Sequence, residues 1–393
     1  MTSAFSFTHL IVSRVVVGLG VGGLLSTVLV WQAEISPAAK RGTHVTTSGI
    51  FASIGGLFAL ALDLGMSFAP GSVGWRFPMA FQALLSLMTM GFTWVLPESP
   101  RWLMMQNRVA EAREVFTVLG AVVTEHPKIE NEIQNVQSSL NQGENSSNRV
   151  FEKGPQRIFH RTIIAASLLM FAQCTGIDVV GLYTNIIFES YLNLDPLLSR
   201  VLGVVYQIVS LLGGIVCVFT VDGLGRRTLM LSSATGNAIC MALVAGLGSQ
   251  TENKMVIHGS VVFISLFHFT FIVGFAGVPL LYASEIAPLK MRGTINGISI
   301  STLWAFSFLI TEVTPIVFEA NGCRFFIVFA TSNVIIMAAV YFLFPETSGH
   351  TLEEIDQIFI SSKTIWEPVW VAKRLSQSDP EELQRKGHTT LKV

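Results

Sequence analysis

Charge is scarce in this chain. Asp, Glu, Lys and Arg make up 13% of its 393 residues, about half the share found in soluble domains. The charges nearly cancel, to a net −1, so no basic field suggests a nucleic-acid partner. Cysteine is rare as well: Cys174, Cys217, Cys240 and Cys323 all lie in apolar runs. That excludes a secreted disulfide framework and reads as small apolar packing residues. No Cys/His spacing suggests a metal site, and there is no nucleophile–base pair or cofactor motif. No catalytic residue, metal or cofactor is therefore expected. The N-terminus, MTSAFSFTHLIVS, lacks the basic region of a signal peptide.

What the chain does have is hydrophobic residues, at 51%, with a mean hydropathy of +0.57. They are gathered into long runs, which predicts an all-α polytopic membrane protein. Nine candidate spans of about 20 residues fit a hydrocarbon core of about 30 Å. They cover residues 10–33, 45–69, 77–96, 162–188, 201–221, 229–248, 259–282, 295–318 and 325–344. Residues 1–96 thus form one three-span region and 162–344 a six-span region. Between them lies a polar central loop, 97–161, and a polar tail, 345–393, closes the chain. Lys and Arg concentrate in alternate connections: Lys40 and Arg41, the central loop, Arg226 and Arg227, Lys290 and Arg292, and the tail. By the positive-inside rule those connections and the C-terminus are cytoplasmic, and Met1 is on the outer side. The sequon Asn145-Ser146-Ser147 would then be cytoplasmic and unmodified. In the central loop, residues 100–119 have helical apolar spacing and predict one amphipathic helix. Residues 127–140 predict a second, and 141–148 (NQGENSSN) a flexible linker. Residues 353–393 read as solvated helix and disorder.

An internal repeat runs through the chain. Glu34-Ile35-Ser36-Pro37 is followed by Arg41-Gly42, and Glu285-Ile286-Ala287-Pro288 by Arg292-Gly293. Pro97-Glu98-Ser99-Pro100 recurs as Pro345-Glu346-Thr347-Ser348. Spans one to three therefore repeat as seven to nine in the same orientation, a parallel repeat of the kind transporters use. The repeat predicts twelve spans in a complete molecule, with three more ahead of residue 10. It also predicts that this chain alone does not support uptake.

Polar groups at bilayer depth mark the fourth span. Gln173, Thr175, Asp178, Tyr183, Thr184 and Asn185 lie between Phe171 and Glu189, with Gly176 and Gly181 among them. Such groups either line a site or bond helices together. Gly274, Gly277 and Pro279 interrupt the seventh span and predict a kink or hinge at Gly277 and Pro279. Asp63 is a second intramembrane acid. The run GLGVGG at 18–23 is inside a span with no preceding strand, so it is packing and not a dinucleotide loop. Glu34, Arg41, Asp222, Arg226, Arg227, Glu285 and Arg292 lie at the span ends. They either set topology alone or also pair across the molecule. Arg14, in a span, needs a carboxylate or carbonyl partner.

Taken together, these motifs resemble the sugar porters of the major facilitator superfamily. The resemblance rests on Arg14 with Gly18 and Gly22, the Glu34–Gly42 motif and Pro97-Glu98-Ser99-Pro100-Arg101-Trp102-Leu103. In the second half it rests on Gln173-Cys174-Thr175-Gly176-Ile177, Asp222 to Thr228 (DGLGRRT), the Glu285–Gly293 motif and Pro345-Glu346-Thr347-Ser348-Gly349. It covers the chain to about residue 358, and the wording of the first span resembles fungal members. It implies the major facilitator fold, with a sugar or polyol carried by alternating access and protons as a candidate coupling ion. It further implies a plasma-membrane location and a gating role for the charged motifs. Gln173, Thr175, Gly176, Asp178, Tyr183 and Trp304 match or adjoin the family's sugar site. Ala172, Asp178, Leu182, Leu280, Leu303, Ser307 and Gly49 depart from its usual amides and aromatics, which points away from hexoses. The alternative is a truncated, non-transporting paralogue, either a nutrient sensor or a defective fragment. Residues 345–393 lack the long low-complexity tail of the family's sensors.

Overall fold

The computed structural model describes residues 5–37, 40–120, 127–144, 150, 154, 156–191, 194–248 and 254–377. The sequon at 145–147 and residues 378–393 of the tail lie outside the described residues. Among the described residues there is no strand. In chain order the helices are α1 Phe7–Ile35, α2 Arg41–Met66, α3 Val73–Thr93, α4 Pro100–Met105, α5 Val109–Gly120 and α6 Pro127–Glu144. Then come α7 Ile158–Cys174, α8 Ile177–Ile186, α9 Pro196–Leu224, α10 Arg226–Leu247, α11 Lys254–Phe271 and α12 Val278–Ile286. The last four are α13 Arg292–Asn321, α14 Phe326–Leu343, α15 Leu352–Ser361 and α16 Glu367–Gln377. Seven segments among the described residues are long and apolar enough to cross a membrane, and the last, Leu289–Leu343, contains both α13 and α14. The 21-residue α3 is not among the seven.

Two of the rods are broken where glycine or proline makes an α-helix costly. The fourth span stops at Cys174 and restarts at Ile177, with Gly176 at φ 97° between. The seventh has a π turn over Ile272–Ala276 before α12, whose first turn carries Pro279. Gly277 and Pro279 thus sit at a real interruption of the helix. A second π turn, Ile187–Tyr191, follows α8, where no proline or glycine announces it. Single-turn π segments in membrane helices mark places where the hydrogen-bond ladder is locally reset.

Helices α7 to α14 bury two apolar clusters, bridged by the partly buried Cys174 and Ile177. At one end Leu168, Val221, Met230, Phe275, Leu281 and Phe344 meet; at the other Val180, Phe188, Met241, Phe267 and Phe326 do. Helix α2 lies along α9, and α1 meets α12 and α13. Within α1 only Ala33 is buried, and within α3 no residue is.

The central loop differs from its expected form. Residues 100–119 are not one helix: Asn107 takes φ 60°, a left-handed turn that ends α4 and lets α5 fold back onto α6. Leu103, Met104, Ala112, Ile129, Ile133 and Val136 bury one another there as a small separate core. Helix α6 runs to Glu144, so the first four residues of the expected linker are helical; residues 145–148 lie outside the described residues. The tail is a second correction. Through α16 it is packed, not solvated. Thr351 and Glu354 form a reciprocal capping box that starts α15. Hydrogen bonds from His350 and from the Thr351 backbone hold the Glu354 carboxyl below the usual carboxylate range. Leu352, Ile355, Ile358 and Phe359 are buried against the bundle. The fully buried Arg161 at the start of α7 pairs with Asp356, donates to the Ile286 carbonyl and lies 4.5 Å from the Phe359 ring centroid.

Candidate functional site

Two clusters of polar side chains are built into this frame, one at the motif-bearing ends of the helices and one at depth.

The end cluster begins with the acid that closes α1. The Glu34 carboxylate accepts from Arg292 at 2.7 Å and from the Ser99 hydroxyl. Glu34 and Arg292 lie 258 residues apart, and their side chains are only 8% and 3% exposed. The repeat partner of Glu34 is Glu285. It accepts from the Thr347 hydroxyl at 2.7 Å and pairs with Arg226 at 3.1 Å. The sequence repeat therefore reappears as repeated chemistry: each motif glutamate takes a hydroxyl from its own Pro-Glu-Ser/Thr loop. The arginine partners break the symmetry, because one pair crosses between the two copies and the other, with Arg226 between spans five and six, stays within the six-span region.

Asp222 makes the second crossing. It accepts from the Gly42 and Thr43 backbone N–H groups at 3.1 and 2.7 Å and from the Thr43 hydroxyl at 2.7 Å. Those N–H groups are orphans at the N-terminus of α2, where a carboxylate also meets the positive end of the helix dipole. A side chain at Gly42 would overlap the Asp222 carboxylate. Asp222 further holds Arg226 at 2.9 Å, and Arg226 donates to Ser348. Arg41 donates to the Ala33 carbonyl and is buried. Arg227 donates to the Tyr341 carbonyl and lies over that ring.

Sequence reasoning left Glu346 without a role. It accepts from the backbone N–H of Arg226, Arg227, Thr347 and Ser348 and so caps α10. Its recurrence in the second Pro-Glu motif was the available signal. Arg14 is the exception among the expected latch residues. It is exposed on α1 and has no hydrogen-bond or ion-pair partner among the described residues, because no neighbouring helix faces that side of α1.

The deeper cluster surrounds the break in the fourth span. Gln173 reaches across it and donates to Asp178 at 2.8 Å, and Ser307 on α13 lies beside Asp178. Tyr183 donates to the Thr311 carbonyl at 3.0 Å. Pro315 explains that bond: it lacks the N–H that would have used Thr311 four residues earlier. Trp304, Ser307 and Thr311 recur at helical spacing, so one stripe of α13 faces the cluster. Trp304 is 45% exposed. Gln173 is buried and Asp178 half-buried. Asp63 lies exposed on α2.

Thr175 and Gly176 form the frame of this cluster. Thr175 is fully buried and its hydroxyl returns to the Ala172 carbonyl. The carbonyls freed by the break are taken by α14, where Asn333 donates to Thr175 and Ser332 to Cys174. Gly176 needs its positive φ, and an added Cβ would sit 2.7 Å from the Phe329 ring and 3.1 Å from Met241. Gly176→Ala is expected to destabilise the protein by about 1–3 kcal/mol through strain at this φ. A thermal-unfolding scan of the purified protein in detergent reads that loss; an unchanged midpoint would contradict it.

A polar seam also joins α2 to α9. Ser53 and Ser210 are buried 3.1 Å apart, and Gln207 donates to the Ser53 carbonyl at 3.3 Å. Ser53 and Gln207 carried no sequence signal beyond being polar in an apolar run.

Residues 1–359 match the sequence profile of the sugar (and other) transporter family. The chain belongs to that family. Among its curated relatives is the sugar transporter STL1 of Saccharomyces cerevisiae, 33% identical over 378 residues, or 95% of this chain and 66% of the relative. The MFS-type transporter oryC of Aspergillus oryzae is 29% identical over 98% of this chain and 74% of its own length. This family member therefore spans about two thirds of the length of STL1. The proton:xylose symporter XylE bound to 6-bromo-6-deoxy-D-glucose superposes with a TM-score of 0.80 at 22% identity, covering 88% of this chain and 73% of XylE. The inward-open form of XylE from E. coli gives a TM-score of 0.59. The fold is that of the major facilitator superfamily, in an all-α, multi-pass membrane protein whose relatives are transporters and not enzymes.

Proposed function

We propose that this family member carries a sugar or polyol across the plasma membrane by alternating access. The observation that carries the reading is the pairing of Glu34 with Arg292 and of Asp222 with the start of α2. These contacts join residues 1–96 to residues 162–344 at the motif-bearing ends, beside the Ser53–Ser210 seam of α2 and α9. An equilibrium between two rigid halves needs contacts of this kind, which close one side and part when the other side closes. In this reading residues 97–161 are a cytoplasmic connector, the C-terminus is cytoplasmic, and the spans number nine. Gln173, Asp178, Tyr183 and Trp304 meet the substrate, with Thr175 and Gly176 shaping the break beneath them and the interruption at Gly277 and Pro279 serving as a hinge. STL1 and XylE, by their names, carry sugars, and XylE does so with protons; Asp178 is the acid placed to take a proton here.

The test is uptake of labelled xylose, glucose and glycerol by transporter-deficient cells expressing the chain. Uptake of at least one is expected, against the sequence expectation of none, because Glu34–Arg292 and Asp222 join the two regions that are present. Gln173→Ala is expected to lower it about tenfold or more, the worth of one hydrogen bond to a carboxylate. A second reading, a non-transporting paralogue, is favoured by the exposed apolar faces of α1 and α3. Chain that reaches the membrane yet moves none of the three solutes supports that reading and ends the first.

A further inference from the structure

A lateral groove between α10 and α14 lies apart from both polar clusters. Leu231, Ser232, Thr235, Met337, Tyr341 and Phe342 line it, around a cavity of about 540 Å³. It opens on the outer flank of the bundle, where Val334, Ile335, Tyr341 and Phe342 are exposed. On a multi-pass membrane protein that flank meets lipid. The lining is apolar apart from the hydroxyl groups of Thr228, Ser232, Thr235 and Tyr341, so what it accepts along its length is hydrocarbon.

One end of the groove is different. Arg227 lies 5.1 Å from the Tyr341 ring centroid, and its buried Nε has no hydrogen-bond partner. Trp366 stands edge-on to Phe342 at 6.1 Å, which ties the start of α16 to the mouth of the groove. Helix α16 buries Pro368 and Ala372 on one side. Trp366, just ahead of the helix, and Trp370 on its other side are 53% and 63% exposed. Lys373 and Arg374 follow on the same exposed side, and Lys363 precedes them. Exposed tryptophans interleaved with Lys and Arg suit the headgroup layer of a bilayer: the rings sit at the boundary and the cations meet lipid phosphate.

We propose that the groove and α16 together bind one anionic phospholipid of the surrounding leaflet. One acyl chain lies in the α10–α14 groove, and the headgroup rests beside Arg227 and the basic side of α16. The cations distinguish this occupant from a sterol or a neutral lipid, either of which would fill the groove without needing them.

Native mass spectrometry of the full chain in detergent tests the proposal, with phosphatidylserine and phosphatidylcholine offered in equal amounts. Phosphatidylserine adducts are expected to exceed phosphatidylcholine adducts by about fivefold or more. Lys373→Gln with Arg374→Gln is expected to abolish that preference. Ser232→Trp, at an exposed position inside the groove, is expected to remove most adducts of both lipids. Equal binding of the two lipids by the unsubstituted chain would overturn the proposal. So would a preference that survives loss of both cations, or displacement of phosphatidylserine by cholesterol at equal concentration. If Ser232→Trp does not fold, the double substitution decides the matter alone.

Discussion

Arg226→Ala is expected to cost about 3–5 kcal/mol of stability, enough to remove most folded protein from the membrane. The guanidinium is 1% exposed and holds Asp222 at 2.9 Å and Glu285 at 3.1 Å. Glu285 is itself 2% exposed. Removing the cation leaves a buried carboxylate with only the Thr347 hydroxyl for company, and a second, half-buried one facing it. Burying an unpaired charge is far costlier than losing an exposed ion pair. Size-exclusion chromatography of a fluorescent fusion reads the outcome as lost monodisperse protein. Arg226→Lys keeps the charge but loses the forked geometry that serves two carboxylates and Ser348 at once, so an intermediate loss is expected. Wild-type yield from Arg226→Ala would show that the cluster contributes nothing net.

The second large effect is on conformation. Arg292→Ala removes an ion pair that crosses between residues 1–96 and 162–344. At about 2 kcal/mol for a charged, mostly buried hydrogen bond, the equilibrium should move roughly thirtyfold toward opening at the motif-bearing side. Folding should be little affected, because Glu34 gains water when the seam opens and keeps the Ser99 hydroxyl. Distance measurements by electron spin resonance between labels on the α1–α2 and α12–α13 connections would show a longer population. Glu34→Arg combined with Arg292→Glu should restore the short one. A distribution that Arg292→Ala leaves unchanged would assign closure to Asp222 and the polar seam alone.

Much of this was legible from residues that act locally. Pro279 and Gly277 announce their break because the missing N–H and missing Cβ act on their own helix. The apolar runs announce the long helices for the same reason. The Glu34 and Glu285 motifs were visible as a repeat, and Ser99 and Thr347 do stand in equivalent places. Partner choice was not legible. Nothing in the local sequence says that Glu34 meets Arg292 while Glu285 meets Arg226; that is fixed by how α1 approaches α13. The same holds for Asn333, which serves a carbonyl exposed by a glycine 157 positions earlier. The Thr175 motif is legible as a motif, but the return of its hydroxyl to the Ala172 carbonyl is visible only in the structure. The packing of the tail is not legible because the charges of 353–393 read as solvated. The fully buried Arg161 that anchors α15 lies about two hundred positions upstream.

The uneven placement of the two glutamate–arginine pairs bears on how this chain tolerates heritable change. Arg226 and Glu285 sit within the six-span region, so damage there should appear as a shortage of protein whatever the solute supply. Glu34 and Arg292 span the two regions, so damage there should leave the amount intact and alter the speed or direction of turnover. Missense variants in two pairs of the same chemistry would then produce different phenotypes. One class should respond to chaperones or lower growth temperature, and the other should not.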